Sequence, residues 1–424
     1  DRYIRNVETA TFRSAWGVDT ALFAGIHGGD NLVNHGNLDG GTFVLDALGE
    51  RWAWELGQEN YNLSGYFDDG VNGKRWNYYR CNTQGQNVLA LNPVTEKGQY
   101  PGAFLDIVEY VSKPKGGYAV VDMSDAYPGR TSYARRGLLV DRETEQVVVQ
   151  DELNLKAASD LWWFMHTKAE IEIGDNGKTA LLSQNGKLMY VVLESNVKEA
   201  KFTQMAAEPL EGSPTVAGQN VNAEYTKLAI NLPKAKGEVY ISVRFVPIHG
   251  DRRVLDRFIA NDSVPNMTPI SEWHIADGDL EPKPQLVTLM DCATLEAGEP
   301  VVISVDPDGI SDIQQVAFYV DNTLVGTATV AADSLNTGTP VYQCEWTPPE
   351  QGSYTLWARI FKTTGEIIDV PEAVVNAYCS IDAGRSSDFS QLSVNGTNTG
   401  IAGYGLVSNG TGAAYTAEQV DAAH

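Results

Sequence analysis

NHGNLDGGTFVLDALGERWAWELGQENYNLSGYF (residues 34–67) and RWNYYRCNTQGQNVLALNP (residues 75–93) carry the densest information in this chain. A His-Gly-Asn-Leu-Asp run, a Gly-Gly-Thr-Phe strand start, a Gly-Glu-Arg-Trp turn and a Tyr-rich loop follow one another. Outward from this stretch the pattern stays β. Val147–Val149, Ala169–Ile173, Leu188–Leu193, Leu228–Leu232 and Val239–Val246 are short β-branched or alternating runs, separated by turn signals such as Asp175-Asn176-Gly177 and Asn185-Gly186. No segment sustains a helical apolar period with matching caps. Short strands at this spacing predict an all-β chain: a large two-sheet antiparallel β-sandwich over residues 1–280.

Glu281-Pro282-Lys283-Pro284 reads as a stiff linker. A second unit is expected over 285–378, with Gln315–Asn322 as a strand entering a hairpin, and Cys344–Trp346 and Tyr354–Arg359 as later strands. Asp306-Pro307-Asp308-Gly309 is either a plain turn or a calcium chelator, and its residue types favour the turn. Residues 379–424 are rich in Ser, Gly, Asn and Thr, as in a flexible tail or the start of a further domain.

The chain has 424 residues and a formal charge of -24, from 31 Lys+Arg against 55 Asp+Glu. That balance argues against nucleic acid and anionic membrane surfaces as partners, because both require a basic footprint. An anionic sugar stays open, since a local cluster of Arg, His or metal overrides the global field. No apolar run is long enough to be inserted in a membrane. The N-terminal DRYIRNVETATF lacks a signal-peptide pattern and reads as the interior of a strand-rich protein. Of the four cysteines, Cys81 stands apart, whereas Cys292, Cys344 and Cys379 leave room for one disulfide whose pairing is not readable. No nucleophile elbow, phosphate loop or glycosidase carboxylate pair is singled out.

The order of elements from Asn34 to Pro93 resembles the metal-bearing β-domain of the heparinase II/III-like polysaccharide lyases, closely for about sixty residues and more loosely to residue 275. The second unit resembles the bacterial immunoglobulin-like modules attached to secreted carbohydrate enzymes, so a small immunoglobulin-like β-sandwich is expected there. The resemblance implies β-elimination on a uronic-acid polysaccharide, and a secreted or cell-surface bacterial location. That chemistry removes the C5 proton of a uronate and expels the C4 oxygen. It requires a base, an acid, and groups that neutralise the carboxylate.

Within the resemblance, His35 matches the first His of a His-X-His-X-Asp pattern and is the expected base, acid or carboxylate partner. Tyr66 matches the catalytic tyrosine of the loop better by spacing than Tyr61, which is expected to contact substrate. Arg75, Tyr79 and Arg80 are further substrate-binding candidates; aromatic faces stack on sugars and Arg forks onto carboxylates or sulfates. Strand alternation predicts that one of Tyr78 and Tyr79 faces in and the other out. The zinc-ligand positions of the resemblance hold Asn37, Glu55 and Gln86. Such a set binds zinc poorly. It is either a site for calcium, manganese or magnesium, or a network of hydrogen bonds among the three that replaces the metal. His27, His166, His249 and His274 read as structural or without context.

The resemblance also implies a helical toroid domain as partner, supplying the opposite cleft wall; the chain alone is expected to be catalytically incomplete. Two rivals remain at this point. One is a non-catalytic carbohydrate-binding or surface-structural protein derived from a lyase domain, and the other is a glycosidase accessory module.

Overall fold

The computed structural model describes residues 1–16, 20–249, 252–261, 267–280, 282–289, 293–333 and 340–378. The chain divides into two compact units, Asp1–Glu281 and Pro282 onward. Strands dominate both, and antiparallel sheets build both.

In the first unit a five-stranded antiparallel sheet runs in the order Arg2–Ile4, Thr9–Arg13, Phe23–His27, Phe43–Ala47, Glu50–Ala53. The facing ten-stranded sheet is organised on two very long neighbours, Gln146–Thr167 and Thr226–Ile248. Alternating residues of both sheets meet in one apolar core, as two-sheet packing demands. Phe43 of the smaller sheet lies 5.9 Å, ring to ring, from both Trp163 and Phe245 of the larger.

Leu228–Leu232 and Val239–Val246 are not separate strands. The intervening Pro-Lys-Ala-Lys-Gly lies with them in one 23-residue strand. The partner strand shifts register at Leu155/Ser159 and Ser159/Leu161, and this bulged stretch absorbs Pro233 and the positive φ of Lys234 and Gly237. Asn185-Gly186, by contrast, does form the hairpin turn its residues announce, with both φ positive. A helix missing from the sequence reading spans Arg252–Asn261. Its Val254, Leu255 and Phe258 pack on Leu181, Tyr190, Val246 and Ile248, a short i, i+1, i+4 stripe easily lost among strands.

The second unit is a small immunoglobulin-like β-sandwich. A four-stranded sheet (Gln285–Leu286, Val301–Asp306, Pro340–Trp346, Ala332–Asp333) shares a core with a five-stranded one, through Ile303, Val305, Phe318, Leu356 and Ile360. Asp321-Asn322 turns Ile313–Val320 into Thr323–Ala328 as expected. In the Asp306–Gly309 turn the carboxylates serve the backbone: Asp306 accepts from the Asp308 N–H at 2.8 Å and Asp308 from the Lys283 N–H at 2.7 Å. Cys81 and Cys344 carry free thiols among the described residues; Cys292, Cys379 and the 379–424 stretch lie outside them.

One ion pair holds the centre of the first unit. Arg136 and Asp151 are opposite each other in adjacent strands, and both are fully buried. The guanidinium grips the carboxylate twice, at 2.8 Å each, and its remaining arm donates at 2.8 Å to the carbonyls of Gly41 and Asn87. Burial pushes the Asp151 carboxyl up and the guanidinium pulls it back. Removing one partner strands the other charge in the core. Asp151→Ala should therefore cost about 3–5 kcal/mol in denaturant unfolding; a loss below about 1 kcal/mol would contradict this reading.

Candidate functional site

The candidate site is built where three segments converge: the 35–43 turn and strand, the end of the Glu50–Ala53 strand, and the 3₁₀ turns of 74–87. Asn87 stitches them. Its Nδ2 donates to the carbonyls of Phe43 (2.9 Å) and Trp54 (3.0 Å), and its Oδ1 accepts from the His166 backbone N–H at 2.7 Å. Leu38 N–H donates to the Cys81 carbonyl at 2.9 Å, closing the same junction. Neither Asn87 nor Arg136 stands out in sequence; Asn87 only follows the Gln86 that drew attention.

His35 sits at the tip of this junction, exposed, with φ of 64°. A left-handed backbone is uncommon for a non-glycine residue, so something must hold it. Arg75 does. Its guanidinium donates to the carbonyls of Gly36 (2.8 Å), His35 (3.1 Å) and Tyr66 (3.2 Å), and to Asn37 Oδ1 (3.1 Å). Gly36 is required beside it, because a Cβ there would come within 2.8 Å of the carbonyl oxygens of Asn31 and Val33. Thus clamped, the His35 ring stacks on Tyr61 at 5.5 Å and meets the edge of Phe67 at 6.1 Å.

Several expectations change here. Arg75 is buried and its donors are spent on the protein, so it positions His35 rather than presenting itself to a ligand. Tyr66 is 2% exposed, sandwiched between Tyr61 (4.9 Å) and the Arg75 guanidinium (4.3 Å), while Tyr61 is 40% exposed. The loop thus presents Tyr61, and burial pushes the Tyr66 phenol up against the pull of Arg75. Tyr78 and Tyr79 are both buried: the segment is 3₁₀ helix, not strand, so alternation does not apply. Tyr78 donates to the Ser64 carbonyl at 2.7 Å, and Tyr79 Oη hydrogen-bonds His166 Nε2 at 2.8 Å. Arg80 is half-buried, donating to Asn222 Oδ1 (2.7 Å) and the Gln58 carbonyl (3.1 Å). His166 is fully buried, and His27 bonds Thr9 Oγ1 across adjacent strands at 2.9 Å.

Asn37, Glu55 and Gln86 do not hydrogen-bond to one another. Asn37 accepts from Arg75, Glu55 Oε1 from the Gly57 N–H at 3.0 Å, and Gln86 donates to the Arg80 carbonyl at 2.7 Å. The reading of a mutual network that replaces the metal therefore fails. What remains is two buried oxygens without partners, Glu55 Oε2 and Gln86 Oε1. Burial pushes Glu55 up to about 7, helped by the nearby Asp39 charge, and pushes Asp39 up to about 7 as well. An all-oxygen set of Glu55, Gln86 and the nearby Asp39 fits calcium, manganese or magnesium, and with no His or Cys in it does not fit zinc; Asn37 is already engaged by Arg75. Among the described residues no three His, Cys, Asp or Glu gather at metal distance, so any cation here relies on amide oxygens as well.

Comparison with known proteins adds the family. The profile described as Heparinase II/III-like, C-terminal matches residues 18–241, just over half of the chain. The chain belongs to the heparinase II/III-like family. A bacterial Ig domain profile matches residues 282–358. No curated protein matches the chain. Among solved structures, the heparan sulfate lyase HepC from Pedobacter heparinus is 13% identical, with a TM-score of 0.46 over 73% of this chain and 41% of that one. A structure titled Heparinase III-BT4657 gene product is also 13% identical, with a TM-score of 0.46 over 87% of this chain and 41% of that one. The chain thus spans about two fifths of the length of these relatives.

The paired carboxylates set a pH dependence. The folded chain keeps protons on Asp39 and Glu55 to about pH 7, whereas the unfolded chain sheds them near the ordinary 3.8 and 4.5. Between those values the unfolded state binds fewer protons, so stability is greatest below about pH 4 for this pair and is lost as pH rises through about 7. In chelator, the melting temperature of the wild-type protein should show this fall between about pH 4 and 7. Calcium, manganese or magnesium should restore it at pH 8, with zinc no better. A cation-independent profile would remove the metal reading.

Proposed function

We propose that this chain is the C-terminal part of a polysaccharide lyase that cleaves a uronic-acid-containing polysaccharide by β-elimination. The observation that carries the reading is the exposed His35 ring, held at positive φ by the buried Arg75 and stacked on the exposed Tyr61. Strained backbone that the surroundings over-determine is characteristic of working sites, and here it aims a titratable ring at solvent. Family membership supports the reaction class.

In this reading one of the two groups, imidazole or phenol, takes the C5 proton of the uronate. The C4–O bond breaks, a C4–C5 double bond forms, and the leaving oxygen receives a proton from the other group. Side-by-side stacking of the two rings lets both reach one sugar ring. The uronate carboxylate must be neutralised for C5 to lose its proton. Arg75 and Tyr79 are turned inward, and His35 and Tyr61 are taken up by the proton transfers, so a helical toroid domain is proposed to supply the neutralising group. A cation held by Glu55 Oε2 and Gln86 Oε1 would cross-link the end of the Glu50–Ala53 strand to the 3₁₀ turns that carry the cleft wall. Secretion or cell-surface display by a bacterium is part of the same proposal, in keeping with the bacterial Ig domain. No helix among the described residues is long and apolar enough to cross a membrane.

The rival is a binding protein derived from a lyase domain. It draws support from the inward turn of Arg75, Tyr66 and Tyr79 and from the lost zinc ligands. His35→Ala separates the two. Assayed in the complete protein by the ultraviolet absorbance of unsaturated uronate ends, a lyase should lose about 10²–10⁴-fold in kcat while its melting temperature stays unchanged. Absence of unsaturated product from wild-type protein on heparan sulfate, chondroitin sulfate, hyaluronan and alginate alike would favour the binder.

A further inference from the structure

A cleft of about 280 Å³ opens between the turns at 71–72, 95–101 and 126–130. It lies outside the His35 site yet shares a wall with it. The loop that stacks Tyr61 and Phe67 on His35 ends at Val71 and Asn72, which line the cleft. Asn31, four residues before His35, donates from Nδ2 to the Tyr100 carbonyl at 3.1 Å on the other side. The 61–72 loop and the Asn31–Tyr100 hydrogen bond thus tie the cleft to the segments that carry His35.

The lining is pre-organised and cationic. Tyr100 is 41% exposed, yet its backbone is pinned: its N–H donates to the Ala126 carbonyl at 2.8 Å, and its carbonyl also accepts from the Ala103 N–H at 3.2 Å. The ring lies over Gly102, where a Cβ would come within 2.8 Å of it, so the turn and not chance sets its orientation. Lys97 stands at positive φ and spends one donor on the Val71 carbonyl at 3.1 Å; among the described residues no carboxylate pairs with its ammonium. Arg130 is held flat by a forked contact with Glu96. One paired and one unpaired cation leave a net positive lining in a chain of charge -24. An exposed aromatic ring and an ammonium without a carboxylate partner lining one cleft suit an anionic sugar: the ring takes the apolar face of the pyranose and the ammonium takes its carboxylate or sulfate.

We propose that this cleft is a distal subsite for an anionic sugar residue of the same polysaccharide whose uronate reacts at His35. Lys97 and Tyr100 are its specificity-determining contacts, and Arg130 and Glu96 its rim. The inference rests on the lyase reading for the identity of the polymer. It adds that recognition extends along the chain beyond the reacting sugar, and that this subsite selects anionic polymers.

The test is calorimetric binding of di- and hexasaccharides of heparan sulfate and of alginate to the full chain, with Lys97→Asn and Tyr100→Ala as variants. Asn tolerates the left-handed backbone at 97, and circular dichroism checks both folds. Each variant should weaken hexasaccharide binding about tenfold, as expected for one lost charge-assisted or stacking contact, and leave disaccharide binding unchanged. Weakening with heparan sulfate alone would assign the contact to sulfate, and weakening with both polymers to carboxylate. Hexasaccharide binding that neither variant alters, or equal weakening at both lengths, overturns the subsite while leaving the lyase reading intact. Failure of the wild-type chain to bind either polymer also overturns the subsite, while the lyase reading stands or falls by the product assay.

Discussion

The buried Arg136–Asp151 pair is the constraint on which the first unit depends. An ion pair in an apolar core is rarely a source of net stability, because desolvating both charges consumes most of what their attraction returns. Its consequence is register. Arg136 faces Asp151 across two strands of the large sheet and reaches out of that sheet to the carbonyls of Gly41 and Asn87. Gly41 lies just before the Phe43–Ala47 strand that follows the His35 turn, and Asn87 just after the last 3₁₀ turn, Thr83–Gly85. A slip of either strand by one residue would leave a guanidinium, a carboxylate and two carbonyls unsatisfied in the core, a far larger penalty than any apolar mismatch.

From that anchor the site is assembled by hydrogen bonds to backbone and not by side chains meeting each other. Asn87 ties Phe43, Trp54 and His166; Arg75 ties His35, Gly36 and Tyr66. The outcome is a rigid wall that exposes few groups: His35, Tyr61 and Phe67, with Tyr100 beyond them. Beneath that wall two buried oxygens are left without partners, Glu55 Oε2 and Gln86 Oε1. Orphaned buried oxygens are costly unless something else compensates them, which is why an oxygen-seeking cation suits this set and zinc does not.

Much of this was legible in the sequence, and the failures have physical causes. The all-β class, the hairpin at Asn185-Gly186, the immunoglobulin-like second unit and the family itself follow from local turn chemistry and from the order of residues 34–93. Pro233–Gly237 misled because a turn-like string also suits a bulge inside a long sheet, and only the neighbouring strand decides between them. Tyr66 is buried and Tyr61 exposed, an order that spacing could not give because it cannot report that a buried guanidinium lies under one ring. Tyr78 and Tyr79 both turned inward because three short 3₁₀ turns replaced the assumed strand. Arg75 looked like a ligand-binding arginine, and only tertiary structure reveals that four acceptors already occupy it. Arg136, Asp151 and Asn87 carry no local signature at all, since their partners lie between 15 and 95 residues away.

The central claim is that a wall organised by Arg75 presents His35 and Tyr61 to a uronate. The most direct measurement is a crystal structure of the complete protein carrying His35→Ala, soaked with a uronate oligosaccharide. The account predicts one sugar ring against Tyr61, with its C5 facing the space vacated by the imidazole and Arg75 still holding the turn. An oligosaccharide bound elsewhere, or a His35 turn that relaxes to negative φ without loss of sugar, would contradict it.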